Sequence, residues 1–323
     1  MNDLLIRNPT LVVGIGGAGS KIAKQAAGAF ECNTLLVSSD GRDLEGCGAG
    51  VHVDSAGWVN PSPYKLRACT LNHSDEIAKA LKGFSTVVLI SNLAGRSGCA
   101  MAPVIARLAK ESGNVVMAVA IMPFRFEKDR LFTAGTAFRR LRETCDSVIV
   151  MDNDAFLENN PDLSKQECFS LTNRAIVDVL GSIANSSIQR EVNMLCTSKS
   201  GPDSESSLRD SVAMLYQNVP DPSVIKRTVL YVMGGERVPV GDLNKIVGHV
   251  QGIFHLDDTA QVSMTSMAAA SDGVKVHLMA SAQQATRFDR YDPLGQIFTK
   301  ESVLDWDEPE SAADIALSIP SME

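Results

Sequence analysis

An α/β fold built on a doubly wound parallel sheet, joined by a central helix to a smaller α+β domain, is what the 323-residue sequence predicts. Three observations lead there. Short apolar runs alternate with stretches of helical spacing through the first half of the chain. Glycine-rich segments follow several of those runs, as at strand-to-helix turns. One run, Val115 to Met122, is apolar almost throughout, as expected of a strand covered on both faces.

Leu11 to Val13 reads as a buried strand, and Ile22, Ala23, Ala26, Ala27 and Phe30 recur at helical spacing behind a glycine loop. Leu35 to Val37 is a second strand ending at Ser38-Ser39-Asp40. The glycine-rich stretch that follows, through Trp58 to Pro61-Ser62-Pro63, is too broken for regular structure. Asp75 to Leu81 makes a short helix and Val87 to Ile90 a strand. Pro103 is placed in a first helical turn ahead of Val104, Ile105, Leu108 and Ala109. After the strand Val115 to Met122, Leu131, Ala134, Phe138 and Leu141 mark a helix before the strand Val148 to Met151.

Beyond Phe169, Ile176, Val179, Leu180 and Ile183 predict a central helix that ends near Ile188, and Ser198 to Ser207 reads as a mobile connection. A strand at Val229 to Met233, a helix around Leu243 to Phe254 and strands Gln261 to Met267 and Val274 to Ala282, joined near Ser271-Asp272-Gly273, complete a small α+β unit. The expected divisions are 1–167, a nucleotide-binding domain; 168–190, the central helix; 191–286, the α+β domain; and 287–323, a loosely attached acidic tail around Trp306.

Composition narrows the function classes. Thirty Lys and Arg against 38 Asp and Glu give a net charge of −8, and the absence of a long basic run argues against a nucleic-acid partner. The seven cysteines include no C-x-x-C pair, so neither a disulfide framework nor a zinc site is indicated, and a cytoplasmic setting is expected. No segment has the uncharged length a bilayer requires, so no membrane span is expected.

The chemistry lies in three glycine-rich segments: Gly14-Ile15-Gly16-Gly17-Ala18-Gly19, Gly46-Cys47-Gly48-Ala49-Gly50 and Ala94-Gly95-Arg96-Ser97-Gly98-Cys99-Ala100. Such segments turn backbone N–H groups toward one point, and a helix amino end adds positive partial charge, which together suit a polyphosphate. Taken alone, Gly14 to Gly19 matches G-x-G-x-x-G, and Asp40, 21 residues after Gly19, stands where a dinucleotide site holds a ribose. A nicotinamide enzyme using NAD is therefore one reading. Its rival is that the small residues only let helix and strand pack closely. No hydride-transfer constellation accompanies the first reading, and the five histidines are dispersed.

Order and spacing along the chain resemble the FtsZ and tubulin superfamily, FtsZ more than tubulin. Val12 to Gly19 resembles the family's first phosphate loop, Ser38-Ser39-Asp40 stands at its Asn-Thr-Asp, and Gly46 to Gly50 is similar to Gly-Leu-Gly-Ala-Gly. Asp75-Glu76-Ile77, Ala102-Pro103-Val104, Pro123-Phe124-Arg125-Phe126-Glu127 with Arg130, Asn153-Asp154, Leu230 to Gly235 and Asp272 to Val276 continue the likeness. The resemblance implies GTP or GDP as ligand, with a magnesium ion beside a triphosphate. It implies phosphate contacts from Gly16, Gly17, Ala18, Gly19, Ser20, Ser38, Gly48, Ala49, Gly50, Gly95, Arg96, Ser97 and Gly98. Glu127 and Arg130 are implied to flank the sugar, Asn153 to join the site, and Asn173 to read the base edge. No residue is expected to be a dedicated metal ligand.

Three departures qualify this. The family's Gly-Gly-Gly-Thr-Gly-Thr-Gly appears as Ala94 to Ala100, and Arg96 there is left three roles: neutralising a phosphate, filling the pocket or pairing with a neighbouring acid. Asn173 is followed by Arg174 where FtsZ usually has the Asp that accepts from guanine. The acid-bearing loop after the central helix is missing, since Gln189-Arg190-Glu191 leads directly into Val192 to Cys196. The expectation is an FtsZ-like cytoskeletal or division-associated protein with no catalytic residue of its own, weak or absent hydrolysis, and self-association or co-assembly with another FtsZ-like protein. The rival, from a different class, is an interaction platform that has lost nucleotide.

Overall fold

The structure is a computed structural model that describes residues 3–46, 48–55, 57–58, 60–155, 157, 160–183, 187–190, 192–199, 201, 203–253, 261–267, 273–282 and 286–293. Cys47, Phe254, Ser271, Asp272 and the tail from 294, Trp306 included, lie outside them. Twelve strands are described. In chain order they are β1 (Asp3–Leu5), β2 (Thr10–Ile15), β3 (Asn33–Ser38), β4 (Gly50–His52), β5 (Thr86–Asn92), β6 (Val115–Met122), β7 (Ser147–Asp152), β8 (Ser187–Gln189), β9 (Val192–Thr197), β10 (Ile225–Met233), β11 (Gln261–Met267) and β12 (Lys275–Ala282). The α-helices described are α1 (Gly16–Ala29), α2 (Pro63–Asn72), α3 (Ser74–Leu81), α4 (Arg96–Glu111), α5 (Lys128–Thr144), α6 (Lys165–Ile183), α7 (Ser204–Asn218) and α8 (Val240–Ile253).

Ten strands form one sheet in the order β11-β10-β12-β9-β7-β6-β5-β2-β3-β4. From β4 to β9 every pairing is parallel, and β12 enters antiparallel to both β9 and β10. The apolar runs explain this order. Residues 116–122, 147–152 and 192–197 are buried throughout, as strands with helices on both faces must be. From β2 the chain winds one way through β3 and β4, and from β5 the other way through β6 and β7. Right-handed crossovers then put α1 and α4 on opposite faces. Accordingly α1 packs with α6, and α2, α3 and α5 gather around α4. The core is continuous from Leu4 to Phe288.

Several expectations are corrected. Residues 50–52 form a parallel edge strand beside β3, where Val51 and Val53 alternate around His52 and bury while His52 faces out. Helix α2 was not anticipated; Pro63 opens it and the Ser62 hydroxyl caps the amide of Lys65. Helix α7 was likewise unforeseen in the polar stretch after 198, where Asp203 caps the amide of Ser206. Pro103 lies inside α4, not in its first turn, because that helix begins directly at the third glycine segment. Helix α6 ends at Ile183, and Ile188 instead buries from β8, opposite Leu4 of β1.

The start of the acidic tail is docked, not loose. Arg287–Tyr291 form a 3-10 turn against α5, with Phe288 fully buried edge-on to Phe138 and Tyr291. Arg139 pairs with Asp292 at 2.8 Å, Arg142 with Asp289, and Tyr291 packs where Gly135 leaves room. The strand β9, placed by sequence at the start of a second domain, continues the first sheet. Val148–Met151 register with Val192–Leu195.

Candidate functional site

Winding in opposite directions from β2 and β5 leaves a crevice at the carboxyl ends of those two strands, the place where open α/β sheets bind ligands. Both following helices begin there: α1 at Gly16 and α4 at Arg96. Gly16 has φ +65°, so the chain turns into α1 through a conformation glycine adopts at no steric cost. A methyl group on Gly16 would press on Ser97 Cβ, and the Ser39 hydroxyl lies 3.3 Å from that of Ser97. The segments after β2, β3 and β5 therefore meet at one point.

Two glycines explain the closeness. A side chain on Gly19 would overlap the carbonyl oxygen of Ile90, and one on Gly98 the carbonyl oxygen of Asn92, so both helices approach β5 at backbone distance. Ser20, next to Gly19, is buried with its hydroxyl unbonded to any described residue. The free amides of two helix amino ends and an unpaired hydroxyl suit an anion with several oxygens.

Asp43 was not singled out in the sequence. Its carboxylate accepts from the Ser38 hydroxyl at 2.6 Å and lies about where a side chain on Gly17 would be, 3.0 Å from that Cβ position. The signal was available in Gly41-Arg42-Asp43, a polar turn closing the stretch after β3. Asp40, the other acid there, forks onto Arg42, and that hydrogen bond holds its carboxyl at about 2. Arg96 is exposed and donates to the backbone carbonyl and side-chain oxygen of Asn60, at 3.3 and 2.9 Å. Among the described residues no acid pairs with it. Beside it, burial pushes the Cys99 thiol up to about 11, which disfavours its thiolate.

The structure does not bring Gly48, Ala49 and Gly50 to this edge. Gly50 registers with Leu36 and the Ala49 carbonyl accepts from the Leu36 amide, so the segment enters β4 at its amino end. Glycine there marks a turn into a strand. The segment that does leave β4 at the crevice is 53–62, which Asn60 ties to Arg96. Gly95 directs its amide to Asn92 O at 3.0 Å and so serves the turn itself.

A second group of expected residues gathers where β6 and β7 end. Glu127 accepts from Lys165 Nζ at 2.9 Å and from Arg130 at 3.4 Å. Asn153 is buried; its amide donates to the Met122 carbonyl and its oxygen accepts from Thr172, so it joins β6, β7 and α6. Asn173 is half-buried on α6, one turn past Phe169, which sequence reasoning passed over although its i, i+4 spacing to Asn173 was legible. Arg174 pairs with Asp178 at 2.9 Å, and Asp178 also faces buried His277 at 3.3 Å.

Below them, burial pushes the Asp152 carboxyl up to about 6 even though Arg287 sits against it. Arg125 pairs with the neighbouring Asp154. Among the described residues no group of three or more His, Cys, Asp or Glu could hold a metal ion. No helix of the described residues is long and apolar enough to cross a membrane.

Fold and site together define an α/β protein with a candidate crevice between two helix amino ends at a topological switch point. Residues 9–161 match the Tubulin/FtsZ family, GTPase domain. The chain is 28% identical over 181 residues to Cell division protein FtsZ 2 of Methanocaldococcus jannaschii, covering 54% of this chain and 48% of that protein. It is 32% identical over 174 residues to Cell division protein FtsZ of Methanothermobacter thermautotrophicus, covering 51% and 46%. It thus spans about half the length of the curated relatives it matches. Among solved structures, the empty FtsZ dimer of M. jannaschii aligns with TM-score 0.68 at 21% identity, over 85% of this chain and 88% of that one. A GTPgS-bound CetZ2 protofilament of Haloferax volcanii aligns with TM-score 0.64 at 19% identity, over 87% and 96%. Residues 9–161 are thus similar to the GTPase domain of the Tubulin/FtsZ family, and the solved FtsZ and CetZ structures share the fold of most of the chain.

Proposed function

We propose that this chain binds GTP or GDP at the β2/β5 crevice and uses it in self-assembly, or in co-assembly with another FtsZ-like protein, in a cytoskeletal or division-associated role. The observation that supports this most directly is the meeting of Gly16 and Ser97, which aims the amino ends of α1 and α4 at one place. Gly16, Gly17, Ala18, Gly19, Ser20, Ser97 and Gly98 would line the phosphates, with Ser38 holding Asp43 beside them. Glu127, Arg130 and Asn173 would face the nucleoside. A magnesium ion would travel with the triphosphate, adding charge neutralisation between its oxygens.

Hydrolysis is proposed to be slow or absent. Phosphoryl transfer needs a positioned water and stabilised charge. The passage from α6 to β9 is only residues 184–191, with Glu191 its one acid. Its described part is tied down: Gln189 donates to Asp3, Arg190 to Asp146, and β8 pairs with β1. No pair of carboxylates is left there to serve a neighbouring subunit.

Titration calorimetry with GTP, GDP, ATP and NAD tests the ligand, and pelleting with electron microscopy and phosphate release tests the rest. Ordered straight filaments with brisk phosphate release overturn the hydrolysis reading. Binding of none of the four overturns the nucleotide reading and favours an interaction platform. One observation supports that second reading: the Asp43 carboxylate stands at Gly17, where a phosphate would approach.

A further inference from the structure

Lys165 opens α6, at the end of the helix where the dipole opposes a cation. Its ammonium is nevertheless held in place by other groups. Nζ lies 5.4, 5.3 and 5.6 Å from the ring centroids of Phe124, Phe126 and Phe169, and 2.9 Å from Glu127 Oε1. The rings are arranged to receive it: Phe124 and Phe126 stack at 5.1 Å, and Phe169 tilts against Phe124 at 5.7 Å. Three aromatic rings around one cation are an unusual concentration of cation–π contact. Phe126 is 62% exposed, so its ring is open to an incoming ligand.

Lys165, Phe169 and Asn173 stand at i, i+4 and i+8, one stripe along α6. A planar base whose edge reached Asn173 would come beside Phe169, one helical turn away, and that ring already carries the Lys165 ammonium. We infer that Lys165 is an internal competitor for the base. Nucleotide entry displaces it from the aromatic cage, and its departure removes the shorter of the two cation contacts on Glu127 Oε1, leaving the 3.4 Å contact from Arg130, at the carboxylate expected to meet the ribose. Lys165 thereby sets how tightly a nucleoside is held without touching the phosphate end, and it favours ligands whose bases stack strongly enough to replace a cation–π contact. This inference rests on the nucleotide reading above.

The test compares the wild-type chain with Lys165→Ala and Lys165→Gln. It measures binding of GTP and of inorganic tripolyphosphate, which has no base, and follows the lysine itself by NMR after reductive ¹³C-methylation. Expected results are a GTP affinity raised by about three- to tenfold in both variants, from the loss of roughly 1 kcal/mol of competing cation–π contact, and an unchanged tripolyphosphate affinity. The Lys165 methyl signal should be ring-shifted without ligand and return toward the free-lysine position with GTP. GTP and tripolyphosphate weakening together would make Lys165 a plain phosphate attractor and overturn the inference, as would an unshifted methyl signal or an unchanged GTP affinity. Absence of GTP binding in wild type and variants alike, with a ring-shifted methyl signal, would instead remove the nucleotide reading itself, and the competition with it.

Discussion

Arg287, just outside the main sheet, forms an ion pair with Asp152 at the carboxyl end of β7. The pair fastens the chain's last described segment to the strand end beside the candidate site. Its guanidinium also lies 3.7 Å from Asp154 and over the ring of Phe288.

A pH-dependent stability follows. Burial raises the folded Asp152 carboxyl to about 6, above its ordinary range, so its ionisation opposes folding. Its contribution is complete below about pH 4 and lost as pH climbs through about 6. Arg287→Met removes the largest influence that opposes this rise, leaving only the Asp154 amide and the Arg125 charge, and takes the ion-pair partner from a buried carboxylate. The variant should lose about 3 kcal/mol at pH 8 and clearly less at pH 5, where Asp152 is protonated. Denaturant unfolding at the two pH values checks this.

The glycines separate into structural and free positions. Gly19→Ala and Gly98→Ala each push a methyl into a β5 carbonyl and should cost about 1–3 kcal/mol, with backbone shifts at the crevice. Gly48 has open space around it, so Gly48→Ala should stay within about 0.5 kcal/mol. Because Gly48 lies at the entry of β4, its replacement should also leave GTP affinity unchanged. Thermal unfolding alongside titration measures both.

Asp43→Asn keeps an oxygen for the Ser38 hydroxyl while removing a charge from the amino end of α1. In EDTA, GTP affinity should rise about three- to tenfold, the effect of one repulsive charge relieved near a polyphosphate. A fall in affinity would show that the carboxylate helps, not hinders.

Asn153→Ala tests whether an expected ligand contact is a structural one. The side chain bonds the Met122 carbonyl and the Thr172 hydroxyl, so its loss leaves buried polar atoms unpaired. Unfolding free energy should fall by about 1–3 kcal/mol. GTP affinity should change less than in a Gly16 or Ser97 variant.

Legibility of the sequence followed the strength of its periodicities. Val115–Met122 was read to the residue because eight consecutive apolar positions leave few alternatives. The first and third glycine segments were placed at the crevice because each joins a buried strand to a helix. Gly48 to Gly50 were misplaced for lack of a visible strand: β4 is three residues long, too short for alternation to register, so its entry turn was taken for a ligand loop. Helix α7 was hidden by the serines at its amino end, which cap a helix as readily as they loosen a loop. Asp43 and Lys165 were missed because nothing in spacing shows that a turn folds onto Gly17, or that a lysine at a helix start reaches three phenylalanines on two segments.

The junction of β7 with β9 has a mechanical consequence. Swinging one half of the chain against the other would require tearing the parallel ladder between Val148–Met151 and Val192–Leu195. If the chain assembles as proposed, its polymer is a row of stiff plates, and any curvature has to be generated at the joints between plates.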